Sequence, residues 1–164
     1  MENAKYTDLT RKIAKEYHLD LKKKLPETEA LVFKILKAHF DENHEVLIKL
    51  HRLYSQLKNS SELLFIKKEI LLFPSILDYE KNPSVELLED INILIKEIEL
   101  GLDAVEKILK EIRRVTKDYE LPETACMTFE KAYHDLEEIE GLILESLEIE
   151  RDILYKRLKE ETIN

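Results

Sequence analysis

The chain has 164 residues and a net charge of −9, with 37% charged residues but only 2 glycines and 4 prolines. Its length suits a single domain. Val and Thr are scarce beside Leu, Ile, Glu and Lys, which argues against a β-sheet. The acidic balance argues against nucleic acid as the main partner, because phosphate contacts need a basic face.

The single cysteine, Cys126, excludes a disulfide within the chain and any metal site built from several cysteines. The first six residues lack an apolar signal core, and no apolar run approaches the roughly 20 residues of a membrane span. We therefore expect no membrane span and a cytoplasmic location. The high Lys and Glu content, with glutamine nearly absent, suggests a thermophilic source.

The first turn signal in the chain is a repeated string, Leu-Pro-Glu-Thr, at residues 25–28 and again at 121–124. Each copy lies between charged stretches with helical character. Proline is tolerated in the first turn of a helix and favours an extended residue before it. The string therefore predicts a sharp corner between two helices at Pro26 and another at Pro122.

With these corners in place, the apolar spacing predicts five helices along the chain. Helix one covers about residues 7–24, with Leu9, Ile13, Tyr17 and Leu21 on its apolar stripe. Helix two ends near residue 58, where Asn-Ser-Ser at 59–61 predicts a break. A short third helix follows and bends at Pro74. Ser84 is a good cap for helix four, which contains Gly101, and helix five runs from the second corner to about residue 159.

Together these elements predict an all-α fold, an elongated antiparallel helical bundle formed by one domain over residues 1–164. One helical hairpin covers 7–58 and a second covers 84–160. A short apolar connecting helix over 61–80 joins the two hairpins.

The connecting helix is apolar around most of its circumference, so it has to be buried on more than one side. It is either a central core helix or a surface that binds a protein partner or a second copy of the chain. The residues of this predicted interaction surface are Leu63, Leu64, Phe65, Ile66, Ile70, Leu72 and Phe73.

Polar residues interrupt two other apolar stripes: His39 and Asn43 on helix two, and Glu140 and Glu150 on helix five. A carboxylate in a core has to be paired, bound to metal or exposed at an edge. One alternative is therefore a divalent metal site formed by His39, His44 and Glu140. No Glu-x-x-His pair of the kind found in iron-carboxylate bundles occurs in the sequence.

No complete catalytic constellation is present, so the sequence favours a protein that is not an enzyme and needs no cofactor. Arg11 and His18 have a loose ribonuclease-like spacing but lack the rest of that motif, and Cys126 is expected to be a buried structural thiol. The leading interpretation is a scaffold or adaptor that acts by protein–protein interaction or self-association. The alternative is a four-helix bundle that binds a metal ion or small ligand through inward His and Glu residues.

Overall fold

A computed structural model describes residues 1–162, and these form helices and short connections without any β-strand. The all-α fold and the helical bundle predicted from the sequence are confirmed. We number four long helices in chain order: α1 (residues 6–38), α2 (40–81), α3 (Val85–Thr116) and α4 (127–160). None of the helices within residues 1–162 combines the length and apolar character needed to cross a membrane.

Three of the four helices contain a π-helical segment, in which the helix takes one extra residue per turn. These segments are Ile13–His18 in α1, Lys67–Leu72 in α2 and Ile149–Tyr155 in α4. π-Helical turns are rare and occur frequently at functional sites. Their positions therefore point to a functional level within the bundle.

The helices pack by burying one apolar stripe each. α1 packs against α2 and α4, and α2 also packs against α3. α3 has the most regular stripe, and the Ser84 side chain caps it by accepting a hydrogen bond from the Leu87 backbone N–H at 3.1 Å. Gly101 lets α2 approach closely, because a Cβ atom placed there would lie 2.6 Å from the Leu64 side chain.

The predicted corner at Pro26 is wrong, since Pro26 lies inside the helical segment Leu19–Ala38. A proline within a helix costs about 3 kcal/mol. The buried stripe continues across it through Leu21, Leu25 and Thr28, and the Tyr54 hydroxyl donates to the Leu25 carbonyl at 2.7 Å. Tertiary packing of this stripe therefore offsets the local cost, and the turn falls later, at His39.

The predicted break at 59–61 and the separate connecting helix are also wrong, because the helical segment Phe40–Ile66 runs through them. Ser61 is buried between Leu57 and Leu64 on one continuous stripe. Burial of that stripe outweighs the weak helix propensity of Asn and Ser. The first hairpin is therefore formed by α1 and α2, which meet at His39.

The apolar stretch of α2 is buried on one face only. Leu64, Phe65, Leu72 and Phe73 of the predicted interaction surface are at most 6% exposed, whereas Leu63, Ile66 and Ile70 are 53–65% exposed. The expected burial is therefore found for one face of this stretch. The other face, which was also expected to be covered, is exposed in the single chain.

The second corner lies outside the helices, as predicted for Pro122. It is a loop over residues 117–126 that opens with three left-handed residues, Lys117, Asp118 and Tyr119. We call this loop together with residues 39–43 the turn end of the bundle. The α2–α3 connection lies at the opposite end with the start of α1 and the end of α4, where Glu80 accepts hydrogen bonds from Thr7 and Arg157 donates to the Ala4 carbonyl.

Candidate functional site

Side-chain contacts join the three π-helical segments at one level of the bundle. His18 of the first segment lies 3.7 Å from Glu69 of the second, and Lys68 of the second lies 2.7 Å from Glu150 of the third. We call this level the inner layer and define it by His18, Lys68, Glu150, Ser146 and Tyr155. Each of the five is at most 4% exposed. Within the π-helical segment of α1 the buried positions are Ile13 and His18, five residues apart, so the π turn moves His18 inward in place of Tyr17.

Glu150 is the anion of the inner layer and has a partner on each oxygen. The Lys68 ammonium lies 2.7 Å from Oε1, and the two side chains are 3% and 1% exposed. The Tyr155 hydroxyl also donates to Oε1, and the Ser146 hydroxyl donates to Oε2, both at 3.2 Å. Burial, followed by the charge of Glu150, raises the pKa of Tyr155 well above 10 and keeps it a donor.

His18 is the member of the layer that makes no hydrogen bond. It is fully buried, its ring lies 4.5 Å from that of Phe65 and 6.0 Å from that of Phe73, and neither ring nitrogen has a hydrogen-bond partner. Burial, and then the charges of Lys68 and Lys22, lower its pKa from 6.5 to about 2. The imidazole is therefore neutral, and its 3.7 Å approach to Glu69 is not an ion pair.

A small cavity of about 20 Å³ adjoins the layer, with Lys68, Glu150, Ser146 and Ser61 among its lining residues. The Ser61 hydroxyl has no hydrogen-bond partner. A space of this size holds about one water molecule. The inner layer is therefore closed to any larger ligand.

A second polar group lies at the turn end, where His39 and Cys126 meet although they are 87 residues apart in the sequence. His39 Nε2 is 3.2 Å from the Cys126 Sγ, and His39 Nδ1 is 3.3 Å from a Glu42 carboxylate oxygen. His39 forms the turn between α1 and α2, and Cys126 directly precedes the first helical residue of α4, Met127. The three side chains form a thiol, an imidazole and a carboxylate in one row.

Cys126 is exposed, which corrects the expectation of a buried structural thiol. The hydrogen bond with His39, and then backbone N–H groups of Phe129 and Thr128, lower the pKa of the thiol. The hydrogen bonds with Cys126 and then Glu42 raise the pKa of His39 above 6.5. Both pKa shifts favour a pair formed by a Cys126 thiolate and a His39 imidazolium. The thiolate is the reactive form of cysteine.

A cleft of about 280 Å³ adjoins this pair, with Asn43, Thr116, Glu123, Phe129 and Tyr133 among its lining residues. Phe129 links the cleft to the pair, since its ring lies 5.2 Å from the His39 ring in an edge-on arrangement. The turn end thus has an open cleft next to the ring that packs on His39, whereas the cavity of the inner layer is only about 20 Å³.

The structure gives the three predicted metal ligands different partners. His39 pairs with Cys126, as above. His44 is exposed and its Nδ1 is 3.1 Å from the Phe40 carbonyl. Glu140 is 6% exposed, with Arg113 Nε at 2.8 Å from Oε1 and the Tyr119 hydroxyl donating to Oε2 at 3.1 Å.

Ligand atoms of three His, Cys, Asp or Glu side chains come together only once within residues 1–162, at His134, Asp135 and Glu138. This group is on the surface of α4. Its two carboxylates already bind lysines, with Lys131 2.8 Å from Asp135 and Lys24 3.0 Å from Glu138. The ligand atoms of His39, His44 and Glu140 do not converge in this way.

Sequence reasoning identified Glu150 and His39 as polar interruptions but gave no role to His18 or Lys68. The signal for Lys68 is its spacing, since Leu64, Lys68 and Leu72 repeat at four-residue intervals on the buried stripe. A 3.6-residue pattern does not predict that His18 is buried, because the π turn shifts the buried face by one residue.

The fold and the inner layer define a class, the four-helix bundle that carries polar groups between its facing helices. No protein-family model matches the chain. The chain is similar to the iron-sulfur cluster repair protein ScdA of Staphylococcus epidermidis strain RP62A, with 26% identity over 150 residues and 92% of the chain covered. It is also 26% identical over 158 residues to the ScdA protein of Staphylococcus haemolyticus, with 94% of the chain covered.

The chain spans 65% of the length of the S. epidermidis protein and 69% of that of the S. haemolyticus protein. These relatives contradict the leading interpretation of an uncharacterised scaffold acting by protein–protein interaction, because they are named for cluster repair. They favour the alternative, a bundle whose polar residues serve metal or small-ligand chemistry.

Proposed function

We propose that the chain takes part in the repair of iron–sulfur clusters, with the damaged cluster as its substrate. The similarity to two ScdA proteins over more than nine-tenths of the chain supports this proposal. Because the chain spans only 65% of the S. epidermidis relative, the activity is proposed for the helical bundle described above.

The observation that carries the proposal is the exposed thiol of Cys126 beside His39. Iron–sulfur clusters are held by cysteine thiolates, so a stabilised, accessible thiolate is the group of this chain best suited to contact cluster iron. A permanently bound cluster of the usual kind does not fit, because the sequence has one cysteine and such clusters take about four.

The chemistry at this site is a ligand exchange. The Cys126 Sγ forms a bond to an iron atom as a water molecule or another weak ligand leaves that iron, and no electron is transferred. The hydrogen bond with His39 lowers the pKa of the Cys126 thiol and so favours the thiolate form, and Glu42 orients the imidazole through its other nitrogen. The adjoining cleft accommodates part of the protein that carries the cluster.

The inner layer takes no part in this exchange. Its cavity of about 20 Å³ admits little more than a water molecule, and its charged groups are at most 3% exposed. A cluster or a client residue would have to separate the helices to reach it.

Repair also requires contact with the protein that carries the cluster, which keeps a protein partner as part of the proposal. The exposed members of the predicted interaction surface, Leu63, Ile66 and Ile70, remain available on the outer face of α2. A cytoplasmic location, also part of the proposal, suits a chain that depends on a reduced thiol.

The test is an anaerobic repair assay on a hydratase whose [4Fe–4S] cluster has been damaged by peroxide. The damaged enzyme is incubated with ferrous iron, dithiothreitol and the protein, and recovered hydratase activity is measured over time. We expect the protein to accelerate recovery severalfold over the buffer control. Cys126→Ser and His39→Gln should lose most of that acceleration.

The matched control is His44→Gln, which changes a nearby exposed histidine that does not contact the thiol. It should repair as well as the unmodified chain. No acceleration by the unmodified chain would refute the function, whereas full activity of Cys126→Ser would refute the site and leave the function in place.

A further inference from the structure

Apolar packing does not explain three features of the inner layer: its π-helical segments, its buried carboxylate and its imidazole without a hydrogen-bond partner. Each of its three π-helical segments positions a buried polar group: His18 in the first, Lys68 in the second, and Glu150 with Tyr155 in the third. A π turn is tolerated where the surrounding structure requires it, and such turns concentrate at functional positions. Three of them at one level indicate a centre built around polar groups.

The centre requires a cation because Glu150 is 1% exposed. A buried carboxylate is stable only when it is paired or bound to a metal ion. In helical bundles, inward carboxylates and histidines commonly hold metal ions. Here the Lys68 ammonium lies 2.7 Å from Glu150 and supplies the positive charge from within the chain.

His18 shows that the centre has an unused ligand. Both ring nitrogens are buried without a hydrogen-bond partner, which is rare because unsatisfied polar atoms cost about 1–3 kcal/mol each. A neutral imidazole is a common metal ligand. However, no set of three His, Cys, Asp or Glu ligand atoms converges in the interior of the described chain.

We propose that the inner layer is a cation site occupied by the chain's own lysine, and that the native chain therefore holds no metal ion there. The Lys68 ammonium occupies the position next to Glu150 that an external cation would need, and its charge repels one. This inference concerns a region separate from the thiol site, so failure of either proposal leaves the other standing.

The first experiment adds ferrous iron or cobalt(II) anaerobically to the Cys126→Ser chain, which removes metal binding by the exposed thiol. We expect less than about one-tenth of a metal ion per chain after desalting, and a Tm that neither metal nor chelator changes. One tightly held ion per chain, with a raised Tm, would overturn the proposal.

The second experiment vacates the site with Lys68→Ala, which leaves Glu150 without its cation. We expect the equilibrium constant for unfolding to rise on the order of a hundredfold or more. n-Propylamine replaces the atoms that this substitution removes, so it should restore Tm in a saturable way. Uptake of one cobalt ion by this variant, in place of the amine, would equally support a vacated cation site.

The matched control is Lys67→Ala, the adjacent lysine, whose ammonium binds Glu97 on the surface at 3.0 Å. It should unfold like the unmodified chain and respond to propylamine no more than that chain does. If Lys68→Ala does not fold, Lys68→Met with Glu150→Gln should fold and show no response to amine or metal. A stable Lys68→Ala variant that binds no cation would contradict the proposal.

Discussion

Two histidines on or just after the same helix show how burial and hydrogen bonding decide what an imidazole can do. His18, in the inner layer, is fully buried without a hydrogen-bond partner, and its pKa is lowered to about 2. His39, at the turn end, contacts a thiol and a carboxylate, and its pKa is raised. The inner layer therefore holds fixed charge inside the protein, whereas the turn end keeps a reactive group at its surface.

The strongest challenge to this comparison is to remove the anion of the inner layer. Glu150→Ala leaves the Lys68 ammonium buried without a partner, and we expect a loss of about 3–5 kcal/mol in the free energy of unfolding. Urea denaturation measures it. The double variant Lys68→Met with Glu150→Leu should recover most of that loss, because apolar residues of similar size often replace a buried ion pair at no cost.

An exposed ion pair provides the control for this change. Glu97→Ala breaks the surface pair with Lys67 and should cost only about 0–1 kcal/mol. Equal losses for Glu97→Ala and Glu150→Ala would mean that the inner layer is no more important to stability than the surface.

The aromatic side of the inner layer should show a comparable loss. Phe65 is 4% exposed and packs against His18, so Phe65→Ala should cost about 3–5 kcal/mol. The neighbouring Ile66 is 53% exposed, and Ile66→Ala should change stability by less than about 0.5 kcal/mol. Thermal denaturation of both variants tests whether this stretch of α2 is buried on one face only.

The sequence predicted the all-α fold because amphipathic spacing is a property of each helix alone. α3, with its Ser84 cap and regular stripe, is the clearest case. Local turn signals misled where packing opposed them. Pro26 and the residues at 59–61 resemble helix ends, but the buried stripes that continue through both positions depend on neighbouring helices.

The candidate sites were harder to predict, for two physical reasons. A π turn shifts the buried face by one residue, so a 3.6-residue pattern placed Tyr17 inside instead of His18. The contact between His39 and Cys126 joins two loops at the same end of the bundle. No local pattern encodes it, because it follows from the placement of the turns, and the first turn was assigned to Pro26.

A pH titration of stability separates the two histidines further. Since the folded pKa of His18 is lowered to about 2, the unfolded chain binds a proton near pH 6.5 that the folded chain does not bind. Stability therefore falls as the pH drops below 6.5, by about 1.4 kcal/mol per unit, or about 2 kcal/mol between pH 6.5 and 5.

His18→Leu should remove this contribution, while His134→Gln, a change at an exposed histidine, should retain it. The difference between the unfolding free energies of the two variants at pH 7 and pH 5 is the measurement. A His18→Leu variant with the slope of the unmodified chain would show that His18 becomes protonated within the fold.

The smallest expected effect on stability comes from His39→Gln at the turn end, where the change appears instead in the reactivity of Cys126. Only the thiolate attacks iodoacetamide, so the alkylation rate of Cys126 falls as pH drops below the pKa of the thiol. Because His39 lowers that pKa, the unmodified chain should react severalfold faster than His39→Gln at pH 7, with nearly equal Tm values. A thiolate of lower pKa is intrinsically a weaker nucleophile, so the order should reverse at high pH, where both thiols are ionised. His44→Gln should follow the unmodified chain at every pH, and a single rate profile shared by all three proteins would show that His39 does not act on the thiol.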